Sequence, residues 1–105
     1  MTGIGRGVKI VLLDEAQERF EAEDRWWREH RDARELFVTE FQEVLRQLAV
    51  APTIGQRYRR ARGKLIQRVL MPRTRCHVYY FHDLNRDIVE IHSIWGARRR
   101  RGPSL

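Results

Sequence analysis

Little in this chain can cross-link it or carry it through a membrane. Among 105 residues there is one cysteine, Cys76, which excludes an internal disulfide and fits a reducing compartment. A lone cysteine in a strand pattern reads as a small buried hydrophobe rather than a nucleophile. The apolar run Val8–Leu13 is stopped by Asp14, so it is too short for a signal peptide or a transmembrane helix. Lysine is nearly absent: Lys9 and Lys64 are the only two, and every other basic residue is arginine. Arginine suits bidentate contact with carboxylate or phosphate. There is no internal repeat, and Arg98–Arg101 is the only low-complexity stretch.

What is present fits one domain: a loose arm at 1–7, a folded core over 8–97 and a basic tail at 98–105. The net charge is +7, unevenly spread. Residues 1–52 carry 8 basic and 11 acidic side chains, whereas residues 53–105 carry 13 basic and 3 acidic. The second half is therefore expected to meet something acidic, either nucleic acid or an acidic protein segment.

Apolar spacing divides the chain. Val8–Leu13 reads as a buried strand. Asp14-Glu15-Ala16-Gln17 has the form of a capping box, and a helix follows to His30 with Ala16, Phe20, Glu23 and Trp27 on one stripe. Glu15–Arg19, Glu21–Arg25 and Asp24–Arg28 are spaced as ion pairs along it. Asp32–Glu35 repeats the capping form before a second helix, with Phe37, Phe41, Val44, Leu45 and Leu48 as its stripe and Pro52 as its end. Tyr58 lies in a short strand and Leu65–Met71 in another, where Ile66, Arg68 and Leu70 share a face. The strongest strand signal is the hairpin of Cys76–His82 and Ile88–Trp95, turned by Asp83–Asp87. The reading is α+β: an N-terminal strand, an antiparallel helical hairpin, then a three- to four-stranded antiparallel sheet with one face on the helices and the other left open. Phe20, Phe41, Leu45 and Leu48 are expected to be buried against that sheet.

The motifs Trp26-Trp27-Arg28-Glu29-His30-Arg31, Gly55 with Tyr58, Arg68-Val69-Leu70, Arg73-Thr74-Arg75, His77-Val78-Tyr79-Tyr80 and Trp95-Gly96-Ala97-Arg98-Arg99 follow in an order that resembles the RelE/ParE superfamily of type II toxin–antitoxin toxins. The likeness spans Val8 to Pro103 and is greatest to the ParE-like branch, often labelled plasmid stabilisation proteins. It implies a small cytoplasmic toxin that binds DNA gyrase, without cofactor or metal, and is held inactive in a hetero-oligomer by a cognate antitoxin with an acidic, partly disordered segment. The residues expected to meet antitoxin or target are Arg68, Arg73, Arg75, Trp95, Arg98, Arg99, Arg100 and Arg101, with Trp95 as the apolar anchor.

The superfamily also contains RelE-like endonucleases that cut mRNA on the ribosome, with a general acid after the last strand. In this chain residues 96–105 contain no Tyr, His, Asp or Glu, which counts against that chemistry. The strands could offer instead His77 with Tyr79, Glu90 with His92, and Arg68 or Arg75, although His77 and His92 read more readily as ordinary strand residues and the tyrosines as packing aromatics. A third possibility is an inactive member that binds only its antitoxin.

Overall fold

The computed structural model describes residues 7–99 and 101–105. The expected arm at 1–7 lies outside them except for Gly7, and so does Arg100.

The two apolar stripes form helices α1 (Asp14–His30) and α2 (Leu36–Val50). On α1 the buried residues are Ala16, Glu23 and Trp27; on α2 they are Phe37, Glu40, Phe41, Val44 and Leu48. Neither expected capping box forms. Asp14 is already the first helical residue of α1, and Leu13 stands at its cap without a side-chain bond. Gln17 instead donates from Nε2 to Glu21. Asp32 sits in a turn closed by Arg34 N–H donating to its carbonyl, which delays α2 to Leu36. Of the three spaced ion pairs only Asp24–Arg28 closes, at 3.1 Å.

Around the helices lie β1 (Lys9–Leu12), β2 (Gln56–Ala61), β3 (Lys64–Met71), β4 (Cys76–Asp83) and β5 (Ile88–Gly96). They make one five-stranded sheet in the order β1-β5-β4-β3-β2. β2 to β5 run antiparallel, as expected, but β1 joins the edge parallel to β5, so the sheet is mixed. β1 is also half-exposed rather than buried. Its apolar run has no period-2 pattern, so nothing in it marks an edge or a direction.

The helices cover the face that carries Val69, Met71, Cys76, Val78, Tyr80, Val89, Ile91 and Ile94. Phe41 and Leu48 belong to this core, whereas Phe20 and Leu45 are only half-buried beside it. They border an open depression between the helices with Leu12 and Val38. Tyr80 fastens the α2–β2 connection: its hydroxyl donates to Pro52 O at 2.7 Å and accepts from Gly55 N–H at 2.9 Å. A Cβ on Gly55 would stand 2.6 Å from that hydroxyl, so the close approach requires glycine.

One irregularity decides the opposite face. β5 bulges at His92, because Tyr80 pairs with Ile91 while Tyr79 pairs with Ser93. Strict alternation would put Glu90, His92 and Ile94 together. The extra residue returns Ile94 to the helix side and sets Trp95 opposite His77.

Candidate functional site

On the face away from the helices, the cross-strand register stacks three rows: Leu70, His77 and Trp95; then Arg68, Tyr79 and Ser93; then Phe81 and Glu90. His77 is neighbour to Arg68. Burial, and then the guanidinium charge, push its pKa below the usual histidine value. Glu90 belongs to a different cluster. Lys64 Nζ donates to its Oε1 at 3.0 Å, His92 Nε2 lies 3.1 Å from the same oxygen, and Arg86 is 3.6 Å from Oε2. Burial raises the Glu90 pKa, but the Lys64 and His92 bonds outweigh it, so the carboxyl is held below its ordinary range. The structure thus pairs Arg68 with His77, and Glu90 with His92. It also separates His77 from Glu90: their rows are four strand residues apart, about 13 Å, with the Arg68 row between them. An acid and a base acting on one reacting group must both be within hydrogen-bond reach of it. This set does not assemble.

That face, expected to be open, is only partly so: Leu70 on it is exposed, but part of it is covered. Ile66, Tyr79 and Ser93 all lie there, at most 2% exposed. The chain's own C-terminal segment crosses it. Gly102 lies against the Tyr58 hydroxyl, on a ring that itself meets Tyr79 edge-on at 4.9 Å and carries the Arg68 guanidinium at 5.1 Å. Pro103 is buried. Ser104 and Leu105 then line a cavity of about 260 Å³ with Leu13, Lys64 and His92.

Residues 98 and 99 are not a free basic tail either. Arg98 Nη1 donates to Glu23 Oε1 at 2.8 Å, and its guanidinium lies 4.0 Å from the Trp26 ring centre. Arg99 approaches the other oxygen of Glu23 at 3.8 Å and covers Trp95 at 4.9 Å. Arg19 reaches the same indole from α1. Burial, then the charge of Arg19, lower the pKa of Arg99. Trp95, expected as an anchor for a partner, is already occupied by two arginines of its own chain. Arg101 is exposed.

The remaining expected arginines do converge. Arg73, Arg75 and Arg98 meet Arg31 around Trp26 and Trp27, in a groove of about 460 Å³ at the end of the sheet. A buried carboxylate shapes each wall. Glu40 accepts from Arg73 N–H (2.8 Å), Thr74 N–H (2.9 Å) and the Thr74 hydroxyl (2.8 Å), which bolts the β3–β4 turn to α2. Glu23, 1% exposed, holds Arg98. Beneath the groove, burial and then Glu23 push the Cys76 thiol up to about 12, so it is an inert core residue.

Arg31, Glu23 and Glu40 were not in the expected site, yet each left a trace. Arg31 follows Trp27 by one helical turn, which brings its guanidinium back over both indoles. Glu23 and Glu40 are acids on apolar stripes, where a carboxylate stays only if it is bonded. Among the described residues no group of His, Cys, Asp and Glu is placed to hold a metal ion, and no helix is long and apolar enough to cross a membrane. No protein-family model and no curated protein matches the chain.

Proposed function

We propose that this chain is the toxin of a type II toxin–antitoxin module, with a RelE/ParE-like fold. It is read as a cytoplasmic growth inhibitor of the ParE-like branch that acts on DNA gyrase by binding and is neutralised by a cognate antitoxin. The order strand, two helices, then a four-strand antiparallel meander supports the family. The observation that carries binding over catalysis is the separation of His77 from Glu90, on a face that the C-terminal segment partly covers. The ribosome-dependent nuclease and the inactive antitoxin binder are the competing outcomes.

Purified protein is tested in a supercoiling assay with gyrase, beside primer extension on cellular mRNA. Inhibited supercoiling with uncut mRNA is expected, and growth arrest persists in the double variant H77Q/H92Q. Cut mRNA, or arrest abolished in a folded double variant, replaces this reading with the nuclease. Inactivity in both assays replaces it with the inactive binder.

A further inference from the structure

Arginines from three distant stretches, the end of α1, the β3–β4 turn and residue 98, line the groove around Trp26 and Trp27. We propose that this groove docks an acidic peptide segment, one with Asp or Glu side chains flanking an apolar residue. That the segment belongs to an antitoxin rests on the reading above; the groove's preference for it does not.

Charge is the first reason. The guanidiniums of Arg31, Arg73 and Arg75 have no carboxylate partner among the described residues. The acids that shape its walls, Glu23 and Glu40, are buried and already bonded. The site is also built in advance. Glu40 holds the turn that carries Arg73 and Arg75, and Glu23 holds Arg98. Arg75 stands at φ 61, a conformation disfavoured for arginine, where its N–H donates to Met71 O and its carbonyl accepts from Ala97 N–H. A partner therefore meets fixed walls and need not order them.

The second reason is an unmet donor. Trp27 lines the groove at 8% exposure, and its buried Nε1–H has no acceptor. Arg31 lies over both indoles, 4.9 Å from the Trp26 ring centre and 5.7 Å from that of Trp27. A carboxylate that pairs with Arg31 draws it off the rings and brings an oxygen to that N–H. Nucleic acid is disfavoured on the same geometry. Single strands gain affinity by stacking bases on aromatic rings. Trp26 is already stacked on His30, 4.7 Å apart at 13°, and covered by Arg98 at 4.0 Å.

The test titrates the full chain with a short peptide alternating Glu and Leu, followed by tryptophan fluorescence and calorimetry. An oligo-dT of equal charge is titrated in parallel. The R73Q/R75Q variant should bind the peptide about tenfold more weakly, the scale of losing charge-assisted contacts. R59Q/R60Q removes two exposed arginines of β2 and should leave binding unchanged. Equal losses in both variants, or tighter binding of oligo-dT through Arg73 and Arg75, overturn the proposal. Gyrase and mRNA assays use the free protein, so either reading can fail while the other stands.

Discussion

His77 shows how burial and one neighbour set the chemistry of one side chain. Its pKa is lowered from 6.5, mainly by burial and then by Arg68. The imidazole should titrate below 6.5 by NMR. In R68Q it should move up but stay below 6.5, because the larger cause remains. A titration at or above 6.5 in the parent protein would remove the burial argument. The lowered value also fixes the sign of a stability effect. The unfolded chain binds this proton more tightly, so the contribution is complete above 6.5 and is lost as pH falls through the folded value of His77. Glu90, lowered from 4.5, adds a second loss of the same sign further into acid. In H77Q the decline should begin only in the Glu90 range. Arg68 with a neutral imidazole is a phosphate-binding pair in form, but the Glu90 cluster lies two rows from His77.

The helix stripes supply one wall of the core, and Phe41 is the residue on which to test it. It is 3% exposed and packs on Phe20 at 5.1 Å and on Phe37 at 6.1 Å. Phe41→Ala should cost roughly 3–5 kcal/mol in urea unfolding. A near-neutral midpoint would take Phe41 out of the core. Both helices were legible because 3.6-residue spacing is a local property. Their caps were not, since a capping side chain competes with the path by which the chain enters the helix. Leu13 N–H donates to Ile91 O, so β1 pairing runs up to the start of α1 and fixes where it begins. The strands were legible as runs, and β3 was legible by face. β5 was not, because a single bulged residue inverts every position after it.

The C-terminal segment is what separates the expected molecule from the observed one. Instead of trailing as a basic tail, it is latched by Glu23 through Arg98 and Arg99 and then crosses the sheet. Breaking a buried ion pair usually costs about 3–5 kcal/mol. Arg98 and Arg99 are 34% and 33% exposed, so they regain water when the partner is removed. Glu23→Ala should therefore destabilise by about 2–3 kcal/mol, below that range. The Trp95 surroundings should change with it, read as altered fluorescence in a W26F/W27F background. An unchanged unfolding midpoint would mean that the latch does not hold the segment.

Composition and periodicity were enough to establish an α+β chain with two amphipathic helices, an arginine-rich second half and no internal disulfide, because each of these follows from local spacing or from residue type alone. Which arginines stand together was decided by packing. Arg68, Arg73, Arg75, Arg98 and Arg99 look equivalent as charges. Two buried acids on the helices and one bulge in β5 send them to three different places. Arg31, distant in sequence, joins Arg73, Arg75 and Arg98 instead. Sequence spacing reports neighbours along an element, whereas a groove, a covered face or an ion pair between residues 23 and 98 depends on contacts that form only when the helices and the tail close on the sheet.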